Sequence, residues 1–156
     1  MVLRIVLIGV AATLAIDLWA LLLKRAFGIR SLDYCLLGRW VSHMRRGTIA
    51  HESIAAAPSQ RSECRIGWAS HYSIGIAFAA GFAMLAGAEW LNHPTFLPAL
   101  VFGVATVAVP FFTIQPAFGL GVASSKTKNP AAARLKSLST HAVFGMGLYF
   151  GAVVLA

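Results

Sequence analysis

Apolar residues in this chain come in long blocks rather than at the spacing of a half-buried helix or strand. The blocks span residues 3–23, 66–88, 97–123 and 138–156, and the first is interrupted by Asp17. A bilayer is crossed by about 20 apolar residues in a helix, so each block predicts a transmembrane helix. The first block has only Arg4 before it and Lys24-Arg25 after it, without a small-residue cleavage site. It therefore reads as a retained helix and not as a signal peptide.

Between the first two blocks the period changes. Leu32, Leu36, Leu37, Trp40, Val41 and Met44 fall on one face of a short helix, and Arg39, Ser42, Arg45 and Arg46 on the other. Ser31 is placed to cap its start and Gly47 to end it. Such a helix lies in the membrane interface or packs on its own bundle. Residues 48–65 are small and polar around Pro58 and read as irregular.

Charge orients the blocks. The net charge is +8, and only 12% of residues are charged against 58% hydrophobic, about half the charge of a soluble domain. Of 13 Lys and Arg, 12 lie in residues 24–65 and 124–137. Positive loops stay inside, which predicts that those two loops are cytoplasmic and both termini are outside. No aromatic and basic surface is interleaved for nucleic acid, so the partner is the bilayer, with a homo-oligomer or a larger membrane complex as further options. Cys35 and Cys64 both fall in the first loop, where reduced thiols are expected.

Candidate chemistry lies inside the blocks. An ionisable side chain at membrane depth costs about 2.5–3.5 kcal/mol on insertion scales, so it faces the interior and has a partner. Counted from the nearest basic residue at 1.5 Å per residue, Asp17, His71 and His141 lie roughly 8–10 Å into the cytoplasmic half. Gln115 comes at comparable depth, with Tyr72 and Thr140 beside the layer. Three readings fit: hydrogen bonds that hold the helices together, a proton or solute path, or a haem or metal on His71 and His141. No cofactor is otherwise expected.

Pro110 and Pro116 disturb the third block, where Thr113 and Gln115 are candidates to line a small site; a simple kink is the alternative. Gly75 and Gly81 in the second block, and Gly145, Gly147 and Gly151 in the fourth, are expected at close helix contacts. His71-x-x-x-Gly75 and His141-x-x-x-Gly145 are offset by 70 residues, and Gly9-Val10-Ala11 is echoed by Gly103-Val104-Ala105. A parallel repeat is one explanation and coincidence the other. Cys35, His43, His51 and Cys64 lack the short ligand pairs of a zinc site. There is no P-loop, dinucleotide fingerprint, zinc-protease pair or nucleophile elbow, so no motif marks an enzyme and the reading leans away from one.

The residues 12–20 (ATLAIDLWA), Ser31-Leu32-Asp33-Tyr34, Gly38-Arg39-Trp40, Ile54-Ala55-Ala56-Ala57-Pro58, Gly67-Trp68, His71-Tyr72, Gln115-Pro116 and Thr140-His141-Ala142-Val143-Phe144-Gly145 carry a resemblance. The chain resembles a bacterial family of inner-membrane proteins known as domain of unknown function 2938. The resemblance implies four membrane helices and no particular activity. The expected fold is all-α and polytopic: one membrane domain over residues 1–156, a four-transmembrane-helix bundle with an interfacial helix in the first cytoplasmic loop. The expected role is binding or transport of a small solute or proton. The alternatives are an accessory subunit of a membrane complex and a His-ligated haem or metal oxidoreductase.

Overall fold

A computed structural model describes residues 1–156, and the chain is entirely helical, without a strand. The main helices are α1 (Val2–Phe27), α2 (Tyr34–Met44), α3 (Glu63–Asn92), α4 (Phe96–Ala105), the short α5 (Gln115–Ala117) and α6 (Pro130–Val154). Four spans are long and apolar enough to cross a membrane: α1, α3, Phe96–Ala117 and α6. The contacts divide the chain into two compact units. One comprises Met1–Ser31, Tyr72–Thr106 and Leu138–Ala156; the other comprises Leu32–His71 and Val107–Ser137.

Helix ends follow local chemistry. α1 runs one turn past the expected end, with Lys24 and Arg25 in its last turn, and stops where Gly28 turns left-handed at φ 67°. The cap of α2 is Asp33 and not Ser31: its carboxylate accepts from the Cys35 N–H at 2.9 Å. α6 starts eight residues before its apolar block, at Pro130, where the missing N–H is harmless. Asn129 caps that end by accepting from the Ala132 N–H at 3.1 Å.

The third block is not the single helix expected over 97–123. Pro110 lacks the donor that would bond back one turn, and the chain widens into a π-helical segment at Pro110–Ile114. The span ends at Ala117 because the backbone then turns to positive φ at Gly119, Gly121, Ala123 and Ser124.

In the first unit the core gathers Ile8 and Ala12 of α1, Ala79 and Phe82 of α3, Ala99 of α4, and Phe144, Leu148 and Ala152 of α6. Without water to drive helices together inside a bilayer, close backbone approach supplies the attraction. A Cβ on Gly9 would lie 2.7 Å from the Ile76 Cα, and one on Gly147 2.6 Å from the Ala12 Cα. A Cβ on Gly103 would collide with the backbone of Gly145.

The second unit is held by polar links. Arg39 of α2 donates to both carboxylate oxygens of Glu63, at 2.9 and 2.8 Å, and to the carbonyls of Ile54, Ala55 and Ala57 at 3.0–3.3 Å. Hydrogen bonding to Glu63 is the main cause that raises the Arg39 pKa further above its ordinary value. Residues 48–62 have no helix or strand, as expected, and the hydrogen bonds of Arg39 tie them to α2. Their His51 and Ile54 N–H groups donate to the Ala117 and Phe118 carbonyls at 2.9 and 3.1 Å. Gly119, at φ 85°, presses directly on the Glu52 carbonyl. Leu37 and Gly38 of α2 are buried against the chain itself. The two cysteines are not separate thiols: Cys35 and Cys64 form a disulfide, because α2 crosses the start of α3 with Cα atoms 3.9 Å apart.

Candidate functional site

Two groups of polar side chains in the first unit are each built beside a glycine contact. On α1, Gly9, Thr13 and Asp17 recur every four residues and so share one face. That face meets α3. Gly75 lies against the Thr13 side chain, and Thr13 returns its hydroxyl to the Gly9 carbonyl at 2.7 Å. One turn nearer the basic loop, the Tyr72 hydroxyl donates to Asp17 Oδ2 at 2.8 Å. A carboxylate and a phenol thus share a hydrogen at membrane depth.

A second group sits where α4 meets α6. Thr106 follows α4 one turn after Gly103 and is 7% exposed. Its hydroxyl donates to the Gly103 carbonyl at 2.5 Å and lies 2.7 Å from His141 Nδ1. A hydroxyl has one hydrogen. With that hydrogen on Gly103, His141 donates from Nδ1 and keeps Nε2 as an acceptor.

The remaining candidates belong to the second unit. Gln115 is buried; its Oε1 accepts from the Ser124 hydroxyl at 3.0 Å, and its Nε2 donates to Ser137 Oγ at 3.3 Å. Thr113 does not join it. It is exposed and returns its hydroxyl to the Val109 carbonyl. His71 stacks on Tyr34, with ring centroids 3.9 Å apart, and Trp68 meets Tyr34 edge-on at 4.8 Å. His43 and His51 pack edge to face at 5.1 Å. No group of three or more His, Cys, Asp or Glu side chains is arranged to hold a metal ion.

The glycines differ among themselves. Gly145 approaches α4, where a Cβ would lie 2.7 Å from the Ala99 carbonyl oxygen. Gly147 and Gly151 approach α1, the latter with 3.3 Å to the Ala11 Cβ. Gly81 meets nothing within 4 Å.

Sequence reasoning passed over three residues. Thr106 closes the His141 pair, and its spacing from Gly103 was the available signal. Ser124 satisfies Gln115 from beyond a glycine turn that no periodicity announces. Arg4 was counted only as a charge. It reaches the carbonyl ends of two helices, donating to Leu91 of α3 and, at 3.5 Å, to Ala152 of α6. Asn92 Oδ1 accepts from it at 3.4 Å. A cation among carboxy-terminal carbonyls is favoured by the helix dipole.

Residues 6–155 match the family described as protein of unknown function DUF2938. The chain belongs to that family. The match takes in both polar pairs of the first unit and the whole of the second unit. No curated protein and no solved structure matches the chain. The family thus supplies a membrane-helix pattern and no activity.

Proposed function

We propose that this is a small inner-membrane protein that passes a proton or a small polar solute by way of Asp17. Residues 24–65 and 124–137 face the cytoplasm in this reading, and both termini lie outside. The charge bias of the loops supports the orientation. One observation carries the activity: a carboxylate in an apolar membrane helix, joined by the Tyr72 hydroxyl at 2.8 Å. An ionisable group at that depth is costly and marks ion or proton pathways in membrane proteins. The link of Thr106 to His141 joins two helices without a carboxylate, so helix cohesion alone does not call for Asp17.

The test uses the purified chain in liposomes that enclose a pH-sensitive dye. An imposed pH gradient should collapse faster than in empty liposomes. Asp17→Asn should return the rate to the empty level with an unchanged melting temperature. Flux equal to that of empty liposomes in the wild type removes the proton reading. Loss of folding in Asp17→Asn reassigns the residue to structure.

A second reading is an accessory subunit that docks a partner membrane helix. Gly81 supports it, since its side of α3 is open for close approach. Gly81→Leu should then abolish co-purification of that partner and leave the melting temperature of the isolated chain in place.

A further inference from the structure

Cys35 and Cys64 are each the second residue of a helix, α2 and α3 respectively. The first turn of a helix carries the positive end of the dipole, which stabilises a thiolate. Two such ends meet here because Gly38 lies on the Glu63 carbonyl and Gly67 on the Tyr34 carbonyl, so no side chain keeps the helices apart. Each cysteine begins the same pattern, Cys35-x-x-Gly38 and Cys64-x-x-Gly67.

The surroundings favour exchange. Cys64 is exposed and Cys35 half-buried, so an attacking thiol reaches one sulfur more readily than the other. Arg65 follows Cys64, and the charge of the preceding Glu63 is taken up by Arg39 at 2.8 Å. The disulfide is not the only link at this crossing, because Arg39 of α2 also makes two hydrogen bonds to Glu63 of α3. Disulfides in the cytoplasm are usually transient, catalytic or redox-sensing; this last support rests on the orientation proposed above.

The geometry points to Cys35–Cys64 as a redox-active disulfide that exchanges with a dithiol at the basic side of the protein. The thiolate of the dithiol attacks Cys64 Sγ. The sulfur–sulfur bond breaks and its electron pair leaves on Cys35, which takes up a proton. The second thiol of the dithiol then displaces Cys64. The protein gains two electrons and two protons, and the dithiol becomes a disulfide. Run in reverse, a disulfide partner reoxidises the pair. Each step meets the general requirements of thiol–disulfide exchange: an accessible sulfur and a stabilised leaving thiolate.

The experiment uses the full chain in mild detergent, treated with dithiothreitol or with mixtures of reduced and oxidised glutathione, then alkylated with a mass-tagged maleimide. The expected result is reduction without denaturant and full reoxidation by oxidised glutathione. Cys35→Ser should form a glutathione adduct on Cys64 severalfold faster than Cys64→Ser forms one on Cys35. A bond that opens only after unfolding makes the pair a structural staple and overturns the proposal. So do two free thiols that oxidised glutathione fails to join. The wild-type result decides the matter even where a variant does not fold. Orientation is read separately, with an impermeant maleimide on cells expressing Cys35→Ser. Labelling before permeabilisation overturns the cytoplasmic placement and leaves the exchange result standing.

Discussion

Two seams of the first unit share a scaffold and differ in chemistry. In one, Gly9 of α1 meets Gly75 of α3, and a Cβ on Gly9 would lie 3.2 Å from the Gly75 carbonyl oxygen. In the other, Gly103 of α4 meets Gly145 of α6. Gly9-Val10-Ala11 matches Gly103-Val104-Ala105, and His71-x-x-x-Gly75 matches His141-x-x-x-Gly145. Each seam therefore joins one glycine of the first match to one glycine of the second: Gly9 to Gly75, and Gly103 to Gly145. The polar groups do not correspond. The first seam joins a carboxylate to a phenol, Asp17 to Tyr72, and the second a hydroxyl to an imidazole, Thr106 to His141. His71, the counterpart of His141, stacks on Tyr34 instead. Backbone contact between glycines fixes how closely two helices approach and leaves the flanking side chains free to differ. A common scaffold can thus carry a carboxylate–phenol pair in one place and a hydroxyl–imidazole pair in the other.

The largest effect is expected from filling the tighter glycine contact. Gly103→Val pushes two methyl groups into the Gly145 backbone and should destabilise the protein by about 3 kcal/mol or more, since overpacking typically costs 1–3. Gly9→Val meets the Ile76 Cα at 2.7 Å but also the smaller Ala79, and should cost less, about 1–3 kcal/mol. Thermal unfolding in one detergent compares them. Equal losses would mean that the two seams are equally tight.

The polar pairs come next. Tyr72→Phe removes the phenol donor from Asp17, whereas Thr106→Val leaves the His141 imidazole short of one bond. Interhelical hydrogen bonds in membranes contribute about 0.6–1.7 kcal/mol. Tyr72→Phe should fall at the upper end and Thr106→Val at the lower. Tyr72→Phe should also slow proton flux in liposomes, and Thr106→Val should leave it unchanged. If Thr106→Val slows flux as much as Tyr72→Phe, the contrast between the carboxylate seam and the imidazole seam fails.

Residue order gave the four spans, because a bilayer reads composition over about 20 residues. The level shared by Asp17 and Tyr72 was also legible, since rise per residue is constant. Rotation was not. The membrane helices are apolar on nearly every side, so no stripe shows which way Asp17 or His71 points. Thr113 and Gln115, two residues apart in one span, face differently: Thr113 is exposed and Gln115 buried. The second unit was least legible. The joining of residues 51–54 to 117–118 is made by backbone groups, which every residue carries. The meeting of Cys35 with Cys64 depends on two glycines brought together from separate helices.

The smallest effect separates glycines that carry a contact from one that does not. Gly81 stands in α3 six residues after Gly75, but a Cβ there meets nothing within 4 Å. Alanine in its place adds no clash and lowers the entropy of the unfolded chain. Gly→Ala at a compatible site stabilises by about 0.4–1 kcal/mol. Gly75→Ala gains the same term, but its methyl strikes Thr13, whose hydroxyl is committed to the Gly9 carbonyl at 2.7 Å. The two alanine variants should therefore shift the melting temperature in opposite directions, Gly81→Ala slightly up and Gly75→Ala down. A fall in both would place a partner against the open side of Gly81, most simply a second copy of the chain. Repeating the melt at increasing detergent-to-protein ratio would separate that case, since a loss that comes from a broken oligomer fades on dilution and one inside the chain does not.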